Sequence, residues 1–157
     1  MVRTRREARE RALSLCYELE VKKCSVDELL AELPAEPDAY AVVLARGVEE
    51  NRDEVDALIR KYADRWSLER MPAIDRNLLR MATYELAHQP VIPVAVAISE
   101  AVELAKRYST DDSGRFVNGM LGRIAEQVRP SEPEGRSAAP PKGSKPSRPP
   151  KRRTGGA

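Results

Sequence analysis

Between Pro93 and Tyr108 the apolar residues Val94, Ala97, Ile98, Ala101, Val102 and Ala105 recur at i, i+3, i+4, i+7, i+8 and i+11. A helix places all six on one stripe, and a stripe this wide must be buried against neighbouring elements. Pro93 suits the first turn of that helix, where a missing N–H costs nothing. Glu103 precedes Lys106 and Arg107 by three and four residues, the favourable order for surface ion pairs. A polar loop, Ser109 to Gly114, then leads to a helix start carrying Arg115 and Phe116.

The same period runs through the rest of the chain. Thr4 and Glu7 form a capping box opening a helix to about Val21, with Ala8, Ala12, Leu15, Cys16 and Leu19 inward. Ser25 and Glu28 form a second box before Val26, Leu29, Leu30 and Leu33, and Pro34 stops that helix. Pro37-Asp38 restarts the chain for a third stripe of Tyr40, Val43, Leu44, Gly47 and Val48. Val55, Leu58, Ile59 and Tyr62 give a fourth, and Asn51 to Asp53 either separates these two helices or lies exposed within one. Ser67 is expected to cap one short turn. The helix from Ile74 to about Leu86 is apolar so far round that it must be central, and the last helix runs from about Ser113 to Val128. Asn118-Gly119 resembles a hairpin turn, but helical spacing on both sides argues against one. Gly119 and Gly122 are expected to admit a close helix neighbour. No run alternates β-branched residues, so the fold class is all-α.

From residue 131 onward there are six Pro, four Gly and no Leu, Ile, Val, Met or aromatic residue. Such a segment cannot bury enough surface to offset its ordering entropy. Residues 1–130 are therefore expected to form the helical domain, and 131–157 a disordered basic tail. Lys151, Arg152 and Arg153 there serve either solvation or non-specific phosphate attraction. Seven basic and two acidic residues give the tail +5, and five Arg and two Glu give residues 1–11 +3. The net charge is +2, so the body between them carries −6. An anionic partner would be met locally, not by the whole surface.

No apolar run reaches the ~20 residues of a membrane span, and the start of the chain is no signal core, so a cytoplasmic protein with no membrane partner is expected. Cys16 and Cys24 lack metal-ligand spacing, and Cys16 on the apolar stripe reads as a small buried hydrophobe. The one histidine, His88, fits a helix C-terminal cap better than catalysis. No phosphate loop, zinc site or cofactor motif is present. Asp111-Asp112 reads as the start of a helix capped by Asp112 or Ser113 in preference to an acid/base pair. No enzyme activity, cofactor or metal is expected.

Nucleic-acid chemistry is better supplied. Arg3, Arg5, Arg6 and Arg9 cluster where the first helix begins, and guanidinium groups with free helix-start N–H groups suit phosphates. Arg6, Leu13 and Tyr17 share a face away from the main stripe. Leu13 and Tyr17 either pack on a second neighbour or leave Tyr17 to meet bases. Asp112, Ser113, Arg115 and Phe116 form a second helix start with a cation and a ring, and Phe116 serves either stacking or packing.

The arginine-rich opening with Ala8-Arg9-Glu10 and Tyr17 is followed by Asp75-Arg76-Asn77-Leu78-Leu79-Arg80-Met81-Ala82-Thr83-Tyr84-Glu85-Leu86. Val91-Ile92-Pro93-Val94, Ala97-Ile98-Ser99-Glu100-Ala101-Val102, Ala105-Lys106-Arg107-Tyr108 and Arg115-Phe116-Val117-Asn118-Gly119 come next. Together, in this order, these segments resemble the NusB family of transcription antitermination proteins. A similar domain fronts some rRNA cytosine methyltransferases, but 157 residues leave no room for their catalytic domain. The resemblance implies a compact bundle of about seven helices in two helical subdomains. It implies a non-catalytic factor that binds boxA single-stranded RNA of rRNA leader transcripts together with ribosomal protein NusE. That pair would join NusA, NusG and RNA polymerase. The RNA-binding residues it implies are Arg3, Arg5, Arg6, Arg9, Tyr17, Asp112, Ser113, Arg115 and Phe116, and Asp75 is implied at the NusE surface. Some members form homodimers covering the RNA surface and others are monomers, and both states remain open. The rival reading is a helical protein-interaction scaffold without direct RNA readout.

Overall fold

Both capping boxes form. Thr4 Oγ1 accepts from Glu7 N at 3.0 Å while Glu7 accepts in return from Thr4 N, and Ser25 and Glu28 repeat the arrangement. The computed structural model describes residues 4–64 and 66–130. Its helices are α1 (Arg5–Lys22), α2 (Val26–Glu32), α3 (Ala39–Glu50), α4 (Arg52–Tyr62), α5 (Ala73–His88), α6 (Val94–Tyr108) and α7 (Asp111–Val128), with a short 3-10 turn at Leu68–Arg70. No strand is present among the described residues, and none of their helices is long and apolar enough to cross a membrane. The expected tail at 131–157 and Arg3 lie outside the described residues.

The element boundaries follow local chemistry. Lys23 takes a left-handed conformation, φ 56°, and its N–H reaches Leu19 O, closing α1. Asp38 caps α3. Asn51 alone separates α3 from α4, and its side-chain amide donates to Gly47 O at 2.8 Å. Ser67 caps the 3-10 turn. Pro93 sits just outside α6 as its cap, one residue earlier than first-turn placement would have it. The cap of α7 is Thr110, whose Oγ1 accepts from Ser113 N at 2.9 Å, so neither Asp112 nor Ser113 holds that position.

Helix α5 is the hub, touching α1, α3, α4, α6 and α7. The α6 stripe meets α5 and α7 through Ala97, Ala101, Leu104 and Ala105, and α7 contributes Val117, Met120, Leu121 and Ile124. Burial of α5 includes its polar residues. Arg80 makes a two-bonded pair with Asp56 (2.8 and 3.1 Å) and reaches Glu20 at 2.9 Å, while Arg76 holds the same Glu20 at 2.7 and 2.8 Å. Bonds from Arg76 hold the Glu20 carboxyl below the usual carboxylate range, against partial burial. Cys16 is buried as expected, and desolvation pushes its thiol up to about 12.

Three expectations differ in detail. Val43 is exposed and does not complete the α3 stripe. His88 does not cap α5. Its Nε2 meets Glu54 Oε1 at 2.8 Å and its ring stacks on Tyr84, while Arg129 donates to the carbonyls of Leu86 and Gln89 at the helix end. Gly119 and Gly122 face open space, with nothing within 4 Å of an added Cβ. The close approach belongs to Gly47, where a Cβ would lie 2.2 Å from Tyr84 Cζ. Stacking on His88 and a bond from Gln89 hold that ring in place. Gly47→Ala is expected to cost ~1–3 kcal/mol by overpacking. The reading is a lower denaturant midpoint at unchanged slope, and an unchanged midpoint would show that Tyr84 can move aside.

Candidate nucleic-acid interface

The first turn of α1 separates the arginines that cluster in the sequence. Arg5 is exposed, and its guanidinium carbon lies over the Tyr40 ring, 3.9 Å from the centroid. Arg6 is also exposed and makes a two-bonded pair with Glu100 of α6 at 2.9 and 2.8 Å. Arg9 points inward and is 4% exposed. Its guanidinium meets the buried Glu85 at 2.9 Å, and Tyr40 Oη donates to Glu85 at 2.6 Å. Burial and the Glu85 carboxylate both push the Tyr40 phenol up, so it stays a neutral donor. Arg9 is thus an internal ion pair beneath the surface that Arg5 and Arg6 present, which corrects its place among the phosphate-facing arginines.

One row of α1 links the two halves of the expected site. Arg6, Glu10, Leu13, Tyr17 and Glu20 succeed one another at helical spacing. Arg6 reaches Glu100, and Glu10 pairs with Arg107 and accepts from Tyr108 Oη at 3.2 Å. Leu13 is buried, so it packs. Tyr17 is 47% exposed. Glu20 meets Arg76, next to Asp75 at the start of α5. Tyr17 therefore stands on the row between the end of α6 and the start of α5.

Those two helix ends meet at the start of α7. Ser113 is buried there, not exposed. Its Oγ donates to Asp75 Oδ2 at 2.8 Å and accepts from the Ser109 and Thr110 hydroxyls at 2.9 and 3.2 Å. Asp75 is itself 3% exposed, so its carboxylate ties the loop to α5 from beneath, and its Oδ1 is buried without a partner. Its role in the structure is to position the loop, and it offers no exposed side chain to a partner protein. Asp112 and Arg115 are exposed and paired with each other.

Phe116 is half-buried and meets Trp66 edge to face, with centroids 6.3 Å apart and planes at 62°. The two rings, with Met71, Pro72, Asp75, Asp112 and Ser113, line a cleft of about 190 Å³. Trp66 is 56% exposed, and no pattern in the sequence had assigned it to the site. The available signal was that the only tryptophan of the chain sits beside a short polar turn. The arrangement offers guanidinium groups at one end, an exposed phenol midway and an open aromatic wall at the other. Among the described residues no group of three or more His, Cys, Asp or Glu could hold a metal.

Residues 6–126 match the family model described as NusB family. The transcription antitermination protein NusB of Salinispora tropica is 53% identical over 129 residues, covering 78% of this chain and 95% of that protein. A solved NusB from T. maritima superposes with a TM-score of 0.76 at 39% identity, covering 85% of this chain and 99% of that one. A crystal structure of antitermination factors NusB and NusE in complex with dsRNA superposes with a TM-score of 0.68 at 26% identity, covering 81% of this chain and 99% of the matched one. With sequence and fold matched over nearly the whole helical domain, the chain belongs to the NusB family of transcription antitermination proteins, which is non-catalytic.

Proposed function

We propose that this protein binds boxA-type single-stranded RNA of rRNA leader transcripts together with ribosomal protein NusE in the cytoplasm. The pair then joins NusA, NusG and RNA polymerase during antitermination. The observation that carries the reading is the surface that runs from Arg5 and from Arg6, the head of the α1 row, through Tyr17 to the Trp66–Phe116 cleft. Cations followed by exposed rings are what a single strand needs, because phosphates take the charge and every base has a face to stack. The solved assembly of NusB and NusE with dsRNA supports NusE and RNA as partners for a chain of this fold. Arg5, Arg6, Arg115, Tyr17 and Phe116 are the direct contacts in this reading. Asp75, Ser113 and Arg9 hold the surface in shape.

Fluorescence binding of boxA and scrambled RNA in the presence of NusE tests the reading, and equal affinities would overturn it. Arg5→Ala with Arg6→Ala is expected to weaken binding and to reduce the log–log salt slope by ~0.7 per lost phosphate contact. An unchanged slope would show that these arginines serve only the fold and its solvation.

A further inference from the structure

The arginines along the seam between α1 and α6 are already occupied. Arg6 is held by Glu100 and Arg107 by Glu10, so α1 and α6 face each other across two ion pairs of opposite polarity. Glu103 lies between Glu100 and Arg107 at i+3 and i−4, and it acts on Arg6 electrostatically. The two pairs balance each other in charge, and Glu103 adds a further negative charge near Arg6. The Arg6 bonds hold the Glu100 carboxyl below the usual carboxylate range, so it is charged at neutral pH.

We propose that Glu100 and Glu10 are internal competitors for RNA phosphates, each occupying a guanidinium that a phosphate must take from it. The proposal rests on the reading of this face as the RNA surface. In each pair the guanidinium is about half exposed while the carboxylate is largely covered, and a pair open to solvent on one side is weak enough for a phosphate arriving from that side to compete for the arginine. The displaced carboxylate nevertheless stays beside the new phosphate, and like charges repel. It also takes up a cation from solution, which cancels part of the counterion release that drives phosphate binding. RNA contacting only phosphates is therefore held weakly, and binding depends on the further contacts made by the aromatic rings.

Glu100→Gln keeps the shape and removes the charge. It is expected to tighten binding of boxA RNA and of its scrambled counterpart about fivefold at low salt. The salt slope should become steeper by up to ~0.7, because Arg6 then neutralises its phosphate fully and one more cation leaves the RNA. The same substitution in an Arg6→Ala background should have no effect if Glu100 acts through Arg6. An equal gain in both backgrounds would reveal only a general charge effect and overturn the proposal. If Arg6→Ala weakens RNA binding but Glu100→Gln leaves it unchanged or weaker, the RNA reading stands and the competitor role fails. If Arg6→Ala has no effect on RNA, both fail at this end of the surface. The Glu10→Gln and Arg107→Ala cycle repeats the test at the second pair, and thermal melting confirms that each variant is folded.

Discussion

Glu85→Ala is expected to cost ~3–5 kcal/mol of folding stability, the usual loss when one partner of a buried ion pair is removed. Glu85 is 2% exposed and accepts from Arg9 of α1 and from Tyr40 of α3 while standing on the hub helix α5. Without it the Arg9 guanidinium is a buried charge with its main partner gone, and the Tyr40 hydroxyl loses its acceptor. A loss of this size is a large fraction of the ~5–15 kcal/mol available to a typical domain. Urea unfolding would read it as a fall in midpoint. A loss below ~1 kcal/mol would mean that Arg9 escapes to solvent and that the pair is not a core element.

Removing the whole network has the opposite expectation. Arg9→Met, Glu85→Leu and Tyr40→Phe together leave no buried charge and no unpaired hydroxyl, and such replacements are often neutral or stabilising. Tyr40→Phe keeps the aromatic ring beneath Arg5, so the exposed cation retains its platform. This triple variant separates structure from contact at Arg9. Retained RNA affinity would show that the guanidinium serves the fold, and lost affinity in a folded variant would return Arg9 to the RNA surface.

The helices were legible because their ends are written locally. Thr4, Ser25, Asp38 and Ser67 each cap from within three residues, and the apolar stripes need only a helical wheel. Buried charge was not legible in the same way. Arg80 and Glu85 read as polar positions on α5, yet their partners Asp56 and Arg9 stand 24 and 76 residues away. A faint signal did exist for Arg9, which lies at i, i+3 and i+7 with the core residues Ala12 and Cys16. Arg5, Arg6 and Arg9 look alike as a cluster, and only the rotation of the helix divides them. The same limit applies to glycine. Gly119 and Gly122 look like packing positions in a helix, but Gly47 is the one whose missing side chain admits a distant ring. At the α7 start the residue types were readable, while the burial of Ser113 on Asp75 depended on how α5 and α7 cross.

Phe116→Leu is the variant that separates stacking from packing at the aromatic cleft. Phe116 is half-buried against the core and also forms one wall of an open cleft with Trp66. Leucine fills much of the same volume, so the stability cost should stay below about 1.5 kcal/mol. It offers no π-face, so RNA affinity should fall by the value of one stacked base, ~1–3 kcal/mol, or about 5- to 150-fold. Trp66→Leu should produce a similar affinity loss at a smaller stability cost, because that ring is mostly outside the core. Unlike the arginine variants, both should leave the salt slope unchanged, since stacking releases no counterions. Full RNA affinity in a folded Phe116→Leu, Trp66→Leu double variant would remove the rings from the RNA surface. The cleft would then be left to a protein partner, and NusE binding by the same double variant would decide that directly.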